Sequence, residues 1–180
     1  MKLVKHNDPI LHKAPKRFNF SDPPMDPLQL SEDLKEAMIE FKGVGLSANQ
    51  VGLPYQVFAA GDYHDPDNII VAFNPRIVFQ SDQIIPIEEG CLSYPGLFLI
   101  VDRPSIIRMR AADHTGRVDT KVYDGIPARI ILHEMDHMEG TNFTQKVSKI
   151  KLDRAKQHKK KLDKLRAKNL KRIQQNERIG

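Results

Sequence analysis

The run Asp124-Gly125-Ile126-Pro127-Ala128-Arg129-Ile130-Ile131-Leu132-His133-Glu134-Met135-Asp136-His137-Met138-Glu139 carries a helix pattern and a metal-ligand pattern in the same residues. Pro127 suits the first turn of a helix and Gly140 a stop, so a helix is expected from about Asp124–Pro127 to about Glu139. Ile126, Ile130, His133 and His137 stand at i, i+4, i+7 and i+11, which is one helical face. Both histidines are therefore expected to look inward beside two isoleucines. Residues four apart are neighbours on a helix, so His133 and His137 can converge on one cation. Glu134 follows His133 without ligating, placed to take a proton from a water at the metal. Turning two histidines and a glutamate into an apolar interior with no metal would be costly. The run points to a divalent metal site and a metal-dependent hydrolase.

The third ligand does not follow in the usual places. A third histidine six residues on would fall at Phe143, although Gly140 occupies the glycine position of that pattern. The acids beyond Glu139 are Asp153, Asp163 and Glu177, all within a basic tail, so a ligand glutamate on a later helix is not supplied. Cys91 is the candidate. It lies in Glu88-Glu89-Gly90-Cys91-Leu92-Ser93-Tyr94-Pro95, and Gly90 permits close approach of the main chain to a ligand. A thiolate and two imidazoles leave a fourth position open, which is the catalytic pattern. Such a set accommodates zinc, iron(II), cobalt or nickel.

Around this run the chain reads as α+β. Residues 12–29 hold prolines with few periodic apolar positions and read as an ordered loop. A helix is expected from Ser31, which can cap, through a Leu34, Ala37, Met38 and Phe41 stripe to a stop at Gly43. Gln56–Ala60, Ile69–Phe73, Arg76–Gln80, Phe98–Val101, Ser105–Arg110 and Arg117–Tyr123 have strand composition and are punctuated by Gly, Pro and Asp. Their spacing is too short for helical crossovers, so short antiparallel or mixed sheets should enclose the His-Glu-Met-Asp-His helix.

Charge divides the chain. Residues 151–180 hold twelve Lys+Arg against three Asp+Glu, or +9, leaving −4 for residues 1–150 of the +5 total. A metal-dependent catalytic domain over 1–150 and a basic helical tail over 151–180 are expected. Leu152, Ala155, Leu162, Leu165, Leu170 and Ile173 recur among the basic residues, to about Arg178, as in a helix docked through its first turns. Clustered Lys and Arg suit a polyanion such as ribosomal RNA, or else simply a solvated helix. The single cysteine excludes an internal disulfide. No apolar run is long enough to span a membrane, and the N-terminus lacks an export signal, so an intracellular protein is expected.

Three segments resemble the peptide deformylases in order and separation: Gly43-Val44-Gly45-Leu46-Ser47-Ala48-Asn49-Gln50, Glu89-Gly90-Cys91-Leu92-Ser93, and His133-Glu134-Met135-Asp136-His137. Asp8-Pro9-Ile10-Leu11 extends the likeness, which covers about residues 1–150. The resemblance implies removal of the formyl group from the N-terminal formyl-methionine of nascent polypeptides. It implies Cys91, His133 and His137 as ligands of one divalent ion, with iron(II) the working metal and zinc, nickel or cobalt as alternatives. It also implies Glu134 as proton carrier, and the Gln50 side chain and Leu92 backbone N–H as donors to the developing oxyanion. By the same likeness Val44, Gly45 and Gly90 would meet the peptide, and Ile130 with Ile126 would line the methionine pocket. Ser47, Asn49 and Met138 depart from the commonest pattern, as do Leu97, Phe98 and Arg129, which bear on preference beyond methionine. Two other readings stay open from the residues alone: an H-E-x-x-H peptidase without need of Cys91, and a nucleic-acid-binding protein with a structural metal.

Overall fold

Strand β6 (Ile106–Ala112) shows how the fold is assembled: Ile107 and Met109 are buried, while Arg108 and Arg110 between them are exposed. That period of two commits one face of the strand to a core. In the computed structural model, which describes residues 1–177, β6 belongs to a five-stranded antiparallel sheet. Its other strands are β1 (Gly45–Ser47), β2 (Val57–Ala60), β3 (Ile70–Gln80) and β7 (Val118–Asp124), in the order β1-β2-β3-β6-β7. Strands β4 (Ile84–Gly90) and β5 (Phe98–Pro104) form a separate antiparallel ribbon.

The helix α2 (Ile126–Met138) lies between the two sheets, packed on β1, β2 and β7 and touching β5. Its Ala128, Ile131, Leu132 and Met138 close on Phe58, Ala60, Ala72, Ile107 and Met109. Helix α1 (Pro27–Glu40) and the N-terminal segment cover the opposite face of β2 and the start of β3: Leu30, Leu34 and Met38 meet Val57, Ala59, Phe73 and Phe18. A third cluster, of Leu97, Leu99, Val101 and Phe143, receives Leu152 and Ala155 from α3 (Lys149–Glu177). So α3 docks through its first turns, and Leu162, Leu165 and Leu170 further along are exposed. Residues 178–180, which include Arg178 at the end of the expected tail helix, lie outside the described residues. No described helix is long and apolar enough to cross a membrane.

Several elements differ from the expected ones. The first helix starts at Pro27, not Ser31: Asp26 Oδ1 accepts from the Leu28 N–H at 2.9 Å, and Pro27 fills the first helical position, where no donor is needed. Ser31 is buried one turn in, and residues 27–29 leave the expected loop. Ile69–Phe73 and Arg76–Gln80 are one strand, because Asn74 (φ 50°) and a register shift between Phe73 and Arg76 carry the ladder past Pro75 as a bulge. Two strands went unforeseen. In β1 a three-residue strand hides inside a Gly-x-Gly sequence, and in β4 Pro86 and paired glutamates mask the alternation. On the histidine face of α2, Ile126 is exposed, and Ile130 is half-buried and packs against the cluster of Phe58, Ile107 and Met109.

Gly140 stops α2 at φ 68°, and a Cβ there would lie 2.5 Å from backbone atoms of Lys13 and Ala14. Both the left-handed conformation and this contact exclude a side chain. Gly140→Ala is expected to lower unfolding stability by about 2 kcal/mol or more, measured as the urea midpoint against the parent; an unchanged midpoint would refute this account of the helix end.

Candidate active site

Helical spacing brings His133 and His137 onto one side of α2, and the turn after β4 brings Cys91 to them. Cys91 Sγ lies 3.5 Å from His137 Nε2, and one ligand atom from each of the three residues falls within 4.8 Å of the others. Both imidazoles are buried, and the cysteine is half-buried. His133 Nδ1 sits 3.0 Å from Glu89 Oε2. That contact turns the other ring nitrogen toward Cys91, the arrangement by which a carboxylate orients a metal-ligating histidine. A soft thiolate with two imidazoles, one of them oriented by a carboxylate, fits a single divalent transition-metal ion.

Glu89 is the centre of a larger buried network. Arg103 approaches it with Nε on Oε1 at 2.6 Å and Nη2 on Oε2 at 2.8 Å. Arg129 adds Nη1 on Oε1 at 2.9 Å. Arg103 also reaches Asp136 Oδ2 at 2.9 Å, and Arg129 donates to the carbonyls of Val101 (2.7 Å) and Ile85. Burial alone would push the Glu89 carboxyl up, but Arg103, His133 and Arg129 outweigh it and hold the group at about 2. Burial likewise opposes charge on His133, yet the neighbouring Cys91, Glu89 and Glu134 raise it to about 10. His137, buried beside a charged His133 and Arg103, is held down to about 3.

Glu134 is nearly fully enclosed, and burial raises its carboxyl to about 7 against the pull of His133. Gly45 makes the room: a Cβ there would meet the Glu134 Cδ at 2.9 Å. The Gln50 side chain is oriented from both ends. Its Oε1 accepts from Ser47 N–H at 3.0 Å, so its Nε2 faces Ser93 Oγ at 3.0 Å and Cys91 Sγ at 3.4 Å. The Ser47 hydroxyl lies 2.8 Å from Asn49 Oδ1 and 3.0 Å from Gln50 Oε1, and Asn49 Nδ2 donates to the His137 carbonyl. The two unusual residues of this loop thus tie it to α2.

A cavity of about 520 Å³ opens over these groups. Val44, Gly45, Gly90, Leu92 and Ile130 line it, as does Ile126, so each residue singled out in the sequence reaches one place. Missed were Glu89, Arg103, Asp136, Ser93 and the role of Arg129. A signal for one was available: Leu99, Val101 and Arg103 share the inward phase of β5, where an arginine requires a buried acid.

Scaffold and site together define an α+β protein of antiparallel sheets with a C-terminal helix and a Cys-His-His group that could hold a metal ion. The chain belongs to the polypeptide deformylase family, whose model matches residues 1–153. It is similar to the chloroplast/mitochondrial peptide deformylase 1B of Arabidopsis thaliana, at 36% identity over 166 residues, covering 91% of this chain and 60% of that protein. Peptide deformylase 1 of Pseudomonas syringae is 38% identical over 139 residues, covering 77% and 83%. The peptide deformylase structure from Plasmodium falciparum superposes with a TM-score of 0.81 at 32% identity, covering 91% and 95%. The chain spans about three fifths of the plant relatives' length. The family is metal-dependent, and among the described residues Cys91, His133 and His137 form a group that could hold an ion.

Glu89→Ala leaves two guanidinium groups buried and underpaired, and is expected to cost about 3–5 kcal/mol in unfolding free energy. With the Glu89 carboxyl at about 2 in the folded chain against its ordinary 4.5, its stabilisation is complete above pH 4.5 and lost as pH falls toward 2. The urea midpoint of the metal-free protein should therefore decline across that window. A decline equally steep in Glu89→Gln would show that another group is responsible.

Proposed function

We propose that this chain is a peptide deformylase, hydrolysing the formyl amide of N-terminal N-formylmethionine on nascent polypeptides to formate and a free amino group. The observation that carries the reading is the convergence of Cys91, His133 and His137 beside Glu134 and Gln50 at one cavity. A divalent cation on the three ligands, for which we favour iron(II) over zinc, nickel or cobalt, would act as a Lewis acid that makes hydroxide available near neutral pH.

The chain's own groups supply the remaining work. Glu134, at about 7, is suited to accept the proton of the attacking water and return it to the departing amine. As the carbonyl carbon is attacked its oxygen gains charge, and the Gln50 amide, turned toward Cys91 by Ser47, donates to it together with the Leu92 backbone N–H. Val44, Gly45 and Gly90 meet the peptide, and Ile130 with exposed Ile126 packs on the methionine side chain. The C–N bond breaks, formate leaves, and the amine takes the proton.

The catalytic unit is residues 1–150. The tail 151–180, anchored by Leu152 and Ala155, serves as a basic attachment to ribosomal RNA in the cell's translation compartment.

The deciding assay is formate release from a short formyl-Met peptide under anaerobic conditions with iron(II). Glu134→Gln is expected to lose about 10²–10⁴ in kcat and Gln50→Ala about 10²–10³, each with its metal content unchanged. No formate from the metal-loaded parent would end this reading, and full activity in Glu134→Gln would reject the role of the glutamate. Truncation after His158 keeps the docked turns; it should weaken co-sedimentation with ribosomes at low salt while peptide turnover persists, and undiminished co-sedimentation would sink the tail's role.

A further inference from the structure

Beyond the part covered by α1 and the N-terminal segment, the outer face of the sheet is open along β3, β6 and β7. Register places Arg76 of β3 directly opposite Arg110 of β6, and Phe79 opposite Arg108, which is opposite Val122 of β7. All three arginines are exposed. Arg17 joins them from the N-terminal segment, which Asn74 pins across β3 by accepting from Phe18 N–H at 2.7 Å and donating to Phe18 O at 2.9 Å. Arg17, Arg76 and Arg110 line a recess of about 260 Å³ together with Phe20, Asn74 and Gly116, and no acidic side chain lines it.

This concentration is not what the body's charge leads one to expect. Residues 1–150 carry −4, and their arginines number seven. Arg103 and Arg129 are buried in the Glu89 network, Arg117 lies in the β6–β7 turn, and the other four share this face. Among the described residues none of the four has a carboxylate within ion-pair distance; Asp102, Asp136 and Glu139 border a separate, larger cavity that Arg17 and Arg76 also reach, and Asp124 stands at the far end of the strand pair. Like charges directly opposite on neighbouring strands repel, so Arg76 and Arg110 stand at a cost that an anion between them would relieve. Along β6, Arg108 stands two residues before Arg110 on the same face, at about 7 Å.

We propose that this face binds single-stranded RNA, with a phosphate seated in the Arg17–Arg76–Arg110 recess and a base on Phe79. Arginine's planar fork matches phosphate oxygens in pairs. Phe79 is 47% exposed, and the Arg108 guanidinium lies 5.5 Å from its ring centroid. Stacking on such a ring needs no particular base, and a flat sheet accepts a splayed strand more readily than a duplex. An anionic membrane also attracts arginine. Here, however, the exposed apolar side chains Phe79 and Val122 stand on either side of Arg108, on the two strands that flank it, which sets a ring beside a cation as a base and its phosphate require.

The test uses the full chain, a fluorescent oligouridylate of about ten nucleotides, and vesicles of phosphatidylcholine with phosphatidylglycerol. Replacing Arg76, Arg108 and Arg110 by Gln should weaken oligouridylate binding at least about tenfold and lower the salt slope by about 2. Replacing Lys156, Lys160 and Lys164 of the tail by Gln is the charge-matched control and should do less. Phe79→Ala should weaken binding about fivefold or more with the slope unchanged. The arginine variant should also unfold at the same or a higher temperature, since cross-strand repulsion is relieved. Oligouridylate affinity and slope equal to the parent's in the arginine variant would overturn the proposal and leave any RNA binding to the tail. Loss of vesicle binding with RNA binding intact would overturn it in favour of a lipid surface, and an unaffected Phe79→Ala would overturn the stacked strand.

Discussion

The Glu89 carboxylate is shared by groups from two other elements: Arg103 on β5, and Arg129 and His133 on α2. Few arrangements are so restrictive. A buried carboxylate without partners would neutralise, and two buried guanidinium groups without it would face a desolvation cost of several kcal/mol each. Only when β4, β5 and α2 come together is each charge answered. The Ile85 and Val101 carbonyls, also held by Arg129, fasten the ribbon to the helix at two further points.

The geometry of the candidate metal site depends on that closure. Cys91 follows the last residue of β4, so the ribbon's position against α2 sets where the thiol lies relative to the two imidazoles. Glu89, two residues before the cysteine, orients His133. One strand end therefore delivers one candidate ligand and aims a second. From the other side, Asn49 ties the Gly43–Gln50 loop to the His137 carbonyl, and Ser47 sets the direction of the Gln50 amide. The site is a meeting of three segments across α2, with each segment restrained by polar bonds to the helix or its partners.

Arg129 has a part that local reading does not reach. Beside Ile130 in a segment that usually carries an apolar residue, it looks like a change of substrate pocket. In the structure Arg129 borders the cavity, and its guanidinium is in addition a second clamp on Glu89. Helical periodicity correctly puts Ile126 and Ile130 on the histidine face, but periodicity cannot tell a core from a cavity wall, and here they line the cavity.

What the sequence by itself determined is what local geometry controls. Four-residue spacing put His133 and His137 together, alternation marked most strands, and charge counting separated body from tail. The three resembling segments named Gln50, Cys91, His133, Glu134 and His137, which the fold brings together. Tertiary structure alone decided the partners. Cross-strand and helix–ribbon contacts join residues such as Glu89, Arg103 and Arg129, far apart along the chain, and their pairing has no period to detect. It also decided that Asp26 rather than Ser31 caps α1, because several residues can cap and only packing selects among them. And it placed Arg76 opposite Arg110, since register between strands depends on which faces are buried, a property of the assembled sheet.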